Sequence, residues 1–143
     1  MQEESGFKER ALKMLHERMD RRYTRKVIDY GNNPRNYGAI VGPDAHAGYT
    51  GPCGDTVEIY LRIANGRILE AKYTTDGCVT THAAASAATE MAQGRSITEA
   101  LTINQSSIIK YLEGLPDDSV HCALLAATTL QKAIRNYVTE KSI

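Results

Sequence analysis

Three cysteines, an aspartate and a histidine are the residues whose types and placement suit metal or sulfur chemistry. Cys53 and Asp55 stand two apart in TGPCGDTVEIYL, residues 50–61, at the mouth of an alternating apolar pattern. Cys78 closes the turn TTDGC, and His121 and Cys122 are adjacent where the last apolar-striped segment begins. A lone cysteine is usually a small buried apolar residue. Here all three fall on turns or element boundaries, and two have a carboxylate or an imidazole beside them. That set suits a metal, with Cys53, Asp55, Cys78 and Cys122 as candidate ligands and His121 as a further one.

Ligand chemistry narrows the metal. Thiolates suit zinc or iron–sulfur clusters. Clusters are held mostly by cysteine alone. An aspartate is a hard oxygen ligand and a poorer match for a cluster iron. A site that uses Asp55 in place of a cysteine is expected to hold a cluster less firmly. Such lability harms an electron carrier and serves a protein that gives its cluster away.

The histidines bear on a rival chemistry, a Cys–His thiol enzyme. Adjacent residues on a helix diverge by about 100°, so His121 and Cys122 are not expected to face each other. His82 lies four residues after Cys78 and within its reach, although a helix-face histidine with a local hydrogen bond is the more ordinary reading. His16 and His46 read as surface residues. No glutamine or oxyanion motif accompanies these groups, which argues against a hydrolase.

The elements that position these residues follow from periodicity. Residues 4–22 carry Phe7, Leu12, Leu15 and Met19 at helical spacing and predict a helix with a thin apolar stripe. Arg18, Arg21, Arg22, Arg25 and Lys26 form a basic cluster that reads as a solvated face. A short helix is expected over about 23–30, stopping at Gly31. Residues 31–55 read as a long loop containing Pro34, Pro43 and Pro52. Val57, Ile59, Leu61 and Ile63 then alternate with polar residues. Asn65-Gly66 signals a type I′ hairpin, and Leu69, Ala71 and Tyr73 alternate on the return.

The rest of the chain reads as helical. Residues 80–93 are alanine-rich and stop at Gly94. Ser96 and Glu99 make a capping box, and Asn104 caps a further helix to about Tyr111. Ser119 is expected to cap a long last helix over about 120–138, with Val120, Leu124, Ala127, Leu130, Ile134 and Tyr137 as its apolar stripe. Cys122 then falls near the third helical position. Unpaired N–H groups and the helix dipole there favour thiolate, and the same effect acts more weakly on Cys78.

The expected fold class is therefore α+β. A small antiparallel sheet, made of the hairpin at about 56–75 and a third strand, packs against several helices. Residues 1–22 form a helical extension and residues 23–143 the main domain.

Composition bounds the function classes. The chain has 143 residues, enough for one domain with a real core. Seventeen basic residues balance seventeen acidic ones, which excludes the basic surplus of a nucleic-acid binder. No apolar run reaches the roughly 18 residues of a membrane span, and MQEESGFKER has no signal-peptide core. An odd number of cysteines without a C-x-x-C pair points to reduced thiols in the cytoplasm.

The segments CGD, GC followed by ASAATE, EAL and HC, together with NPRN, resemble the IscU/NifU-type iron–sulfur cluster scaffold family over about residues 23–138. The resemblance implies a scaffold rather than an enzyme, built on a small antiparallel sheet packed by helices. It implies a [2Fe–2S] cluster assembled from iron on Cys53, Cys78 and Cys122, with Asp55 or His121 as fourth ligand. Asp55 matches the aspartate that tunes cluster lability. A cysteine desulfurase is the implied sulfur donor, Cys122 the persulfide acceptor, and recipient apoproteins the destination. The amphipathic extension adds the expectation of a homodimer.

Two departures stand out. The family often has LPPVK before its HC, read by a dedicated chaperone pair. Here the stretch is LPDDS, residues 115–119, without the second proline and the lysine, so a dedicated chaperone is not expected. After Cys78 the usual GSA is VTT, which still fits a capped helix start. The nearest rival is a zinc-dependent sulfur acceptor of the SufU type, and zinc is also a candidate occupant of the apo scaffold. Those relatives tend to have a basic residue before the third cysteine and an insertion ahead of it. This chain has His121 and no insertion.

Overall fold

The structure is a computed structural model and describes residues 22–142. The helix expected over 4–22, with Arg18 and Arg21 of the basic cluster and His16, lies outside the described residues apart from Arg22.

The first element is α1 (Arg25–Asn32), capped by Thr24, whose side chain accepts from the Val27 N–H at 3.1 Å. Gly31, expected to end this helix, is buried inside it. A Cβ there would lie 2.5 Å from Val79 Cγ1, so the glycine serves a close helix crossing rather than a stop.

Strand β1 (Ala45–Thr50) falls inside the segment expected to be loop, and it supplies the third strand. Its alternation is hard to read because its core side is only Ala45 and Ala47, with Gly48 interrupting. It pairs antiparallel with β2 (Thr56–Ala64), Ala45 opposite Leu61 and Thr50 opposite Thr56. β2 pairs antiparallel with β3 (Arg67–Thr75), giving the order β1-β2-β3. The turn between them has Asn65 at φ 54° and Gly66 at φ 72°, the backbone of a type I′ hairpin.

One strand residue departs from the expected alternation. Arg62 faces Glu70 but Ile63 faces Ile68, so Leu69 is an extra residue in a β-bulge. The bulge carries Ile68 into the core and leaves Leu69 56% exposed.

The helical half runs through α2 (Val79–Ala92), α3 (Ile97–Ala100), α4 (Gln105–Tyr111), a 3₁₀ turn (Asp117–Ser119) and α5 (Val120–Ser142). The Ser96–Glu99 capping box and the Asn104 cap form as expected, and Ser107 completes a second box with Asn104 that the sequence reading did not include. Ser119 does not cap α5. It lies buried in the 3₁₀ turn, where its hydroxyl bonds Asp118, and the helical path simply continues through it. Helix α2 packs on β3, α5 on α2, β1 and β2, α1 on α2, and α4 on α2 and α5. Ile59, Leu61, Ile68 and Tyr73 meet the alanines of α2 and the Ala126, Leu130 and Ile134 face of α5. Small side chains on α2 bring helix and sheet close, and the fold is α+β. Leu124, expected in the α5 stripe, points outward, because the buried face runs through Cys122, Ala126 and Ala133 instead. No helix among the described residues is long and apolar enough to cross a membrane.

Candidate metal and sulfur site

Cys53 sits in the tight connection between β1 and β2. The Gly51 N–H donates to the Asp55 carbonyl at 2.9 Å, and the Gly54 N–H donates to the Gly51 carbonyl at 3.0 Å. Gly54 has φ +94°, a conformation open to glycine and strained for other residues. The CGD motif is thus the tip of a hairpin, with Cys53 exposed and Asp55 at the entry to β2.

Cys78 is the N-cap residue of α2. Its turn is stitched to the CGD turn. Asp76 Oδ1 accepts from the Thr56 N–H at 2.8 Å, and Thr75 Oγ1 donates to the Thr56 carbonyl at 2.6 Å. The two thiol-bearing turns therefore lie side by side at one end of the sheet.

Cys122 enters from the first turn of α5 and is buried, only 2% exposed, with its side chain in the core cluster. The elements meet at Thr81, a fully buried residue of α2. Thr81 Oγ1 lies 2.9 Å from Asp55 Oδ2, 3.5 Å from Cys122 Sγ and 3.8 Å from Cys78 Sγ. Sequence reasoning read VTT only as a helix start and missed this residue. The departure from GSA at the same three positions was the available signal.

His121 Nε2 lies 3.6 Å from Cys122 Sγ, contrary to the expected divergence. The Cβ directions do diverge, but the exposed imidazole is long enough to fold back over its neighbour. His121 and Cys53 share the wall of an apolar cleft of about 160 Å³ floored by Leu125. Cys53, Asp55, Cys78, His121 and Cys122 thus gather at one end of the molecule. Among the described residues no three His, Cys, Asp or Glu side chains close on a single metal position as they stand. The donor set itself, three thiols with a carboxylate and an imidazole, fits zinc or a cluster iron.

The thiols differ electrostatically, in the opposite order to the one expected. Burial pushes the Cys122 thiol up to about 11, only partly offset by the Thr81 hydroxyl and reinforced by the neighbouring Cys78, Cys53 and Asp55. Desolvation outweighs the benefit of the helix start. Burial also pushes Cys78 up, but the backbone and side-chain donors of Thr81, then of Thr80, overcome it. Cys78 lies below its ordinary value. His82 does not serve Cys78. Its Nδ1 is 2.8 Å from the Tyr73 hydroxyl, and its ring packs against Tyr37. His46 is a surface residue, stacked on Tyr60 and paired with Glu58 at 3.3 Å.

An α+β domain that brings three thiols from three element ends to one pole belongs to the class of small thiol-site domains. The chain matches the NifU-like N terminal domain over residues 22–142, and it belongs to that family. It is 42% identical over 116 residues to the iron-sulfur cluster assembly scaffold protein IscU 1 of Archaeoglobus fulgidus, covering 80% of this chain and 76% of the relative. It is 40% identical over 121 residues to the iron-sulfur cluster assembly scaffold protein IscU of Haemophilus influenzae, covering 80% and 94%. The crystal structure of a nitrogen-fixing NifU-like protein (N-terminal) from Brucella abortus superposes with a TM-score of 0.68 at 21% identity, covering 82% of this chain and 94% of that one.

Proposed function

We propose that this chain is a scaffold, not an enzyme, on which a labile [2Fe–2S] cluster is assembled and passed to recipient apoproteins. The observation that carries this reading is the convergence of Asp55, Cys78 and Cys122 on the Thr81 hydroxyl, with Cys53 and His121 on the adjoining cleft. The two named scaffold relatives support it.

Cys53, Cys78 and Cys122 are the proposed thiolate ligands, and Asp55 or His121 is the fourth. Loading draws Cys53 inward on its glycine-flanked turn. A cysteine desulfurase of the cytoplasm supplies sulfur. The acceptor thiolate attacks the terminal sulfur of the donor's persulfide, a new S–S bond forms, and the donor thiolate leaves. An electron donor then reduces each sulfur to sulfide as iron binds. Cys122 is the proposed acceptor, uncovered and deprotonated on docking to the desulfurase, since in the free chain its thiol is buried and pushed up. A second reading starts on Cys78, favoured by its exposure and its lowered pKa. Two copies of the chain share the cluster, and holo mass under native conditions checks this. LPDDS keeps Leu115 and Pro116 of the family's LPPVK but lacks its second proline and lysine, so release is assigned to cluster lability rather than to a dedicated chaperone.

The test is anaerobic reconstitution with ferrous iron, cysteine and a desulfurase, followed by the absorption spectrum and iron, sulfide and zinc analysis. Red-brown protein with equal iron and sulfide supports the scaffold. Colourless protein retaining one tight zinc replaces it with the zinc-dependent sulfur acceptor.

A further inference from the structure

The buried hydroxyl at the centre of the site has no part in the donor set. Thr81 has no exposed surface, whereas Cys53 and Cys78 are exposed, so it forms the floor of the site and leaves the solvent side open for metal entry. Its Oγ1 donates to Asp55 Oδ2 at 2.9 Å, and lies 3.5 Å from Cys122 Sγ and 3.8 Å from Cys78 Sγ. One hydroxyl proton thus faces a carboxylate oxygen and two sulfurs from three different elements. The Gly77 backbone lies directly against this side chain. A Cβ on Gly77 would come within 2.7 Å of Thr81 Cβ and 2.8 Å of its Oγ1, so only glycine leaves the space that the threonine fills.

We propose that Thr81 is the positioning residue of the metal site: its one hydroxyl proton goes to Asp55 Oδ2 and orients the carboxylate, while the same oxygen packs beside the Cys122 and Cys78 sulfurs. The bond engages Oδ2 and leaves Oδ1 for a metal. Groups that hydrogen-bond metal ligands in this way typically govern affinity by about 10–100-fold. This inference rests on the reading of Cys53, Asp55, Cys78 and Cys122 as ligands.

The test compares Thr81→Val, which keeps the shape and removes the hydroxyl, with Thr81→Ser, which keeps the hydroxyl. Cobalt(II) is the probe, because its thiolate charge-transfer absorption reports cysteine ligation, and affinity is read by competition with a chelator. Thr81→Val is expected to bind about tenfold more weakly with an unchanged unfolding midpoint, and Thr81→Ser to retain parental affinity. In an Asp55→Ala background, Thr81→Val is expected to have a much smaller effect, because the carboxylate it orients is gone. Parental affinity in Thr81→Val overturns the proposal. So does an equal loss in both Thr81 variants, or an undiminished loss in the Asp55→Ala background. Failure of the parent chain to bind cobalt through its thiols overturns the ligand assignment instead, so the two failures are distinct. Should Thr81→Val not fold, Thr81→Ala takes its place with the same expected outcomes.

Discussion

Gly31 and Val79 meet where α1 crosses α2, and a Cβ on the glycine would fall 2.5 Å from Val79 Cγ1 and 2.8 Å from the Val79 carbonyl oxygen. That carbonyl is backbone, one residue from Cys78, and it yields only if the start of α2 shifts. Gly31→Ala gains up to about 1 kcal/mol of helix propensity against an overpacking cost of about 1–3 kcal/mol. Net destabilisation is expected in urea unfolding. A variant more stable than the parent would show that the crossing has room.

The thiols are expected to label in a fixed order. Cys78 is exposed and held below its ordinary value, while Cys122 is buried and pushed up to about 11. Near neutral pH iodoacetamide should modify Cys78 well before Cys122, as read by peptide mass spectrometry. Between about 9 and about 11 the unfolded chain releases the Cys122 proton that the folded chain keeps. Stability should therefore fall as pH rises through that window and be unaffected by this group below it. Cys122→Ala should flatten the fall.

Persulfide uptake separates the two acceptor assignments. After incubation with desulfurase and cysteine, the parent should gain the mass of sulfur. Cys122→Ser is expected to lose that gain, and Cys78→Ser to keep it. The reverse pattern moves the first sulfur to Cys78.

Asp55→Ala should lengthen the lifetime of the reconstituted cluster and slow its transfer to an apo-acceptor, both followed by absorbance. An unchanged lifetime would remove Asp55 from the account of lability.

Tyr73 is fully buried, and its hydroxyl reaches His82 Nδ1 at 2.8 Å and Ser86 Oγ at 3.2 Å. Burial holds His82 below its ordinary value near 6.5. Its NMR titration midpoint should lie below that value. Tyr73→Phe, which strips two polar groups of a partner, should cost about 1–3 kcal/mol in denaturant unfolding.

What could be read along the chain was what neighbours in sequence decide. The β2–β3 hairpin was legible because Asn65-Gly66 and the period-two pattern act within a few residues of each other. The capping box at Ser96 and the cap at Asn104 were legible for the same reason, since a cap closes within one turn. The positions of Cys53, Cys78 and Cys122 at element boundaries followed from those elements. Tertiary packing decided the rest. β1 exists because β2 offers a pairing edge to small residues that show little pattern of their own. Leu69 turns outward because a bulge shifts the register against Arg62 and Ile63. Ser119 joins a 3₁₀ turn instead of capping. Most consequential is the environment of Cys122. The helix start alone favours thiolate, but the sheet and α2 bury the sulfur, and desolvation outweighs the dipole. The meeting of Asp55, Thr81 and Cys122 spans separations of 26 and 41 residues. No local propensity encodes such a contact, because it forms only once the sheet and both helices share one core.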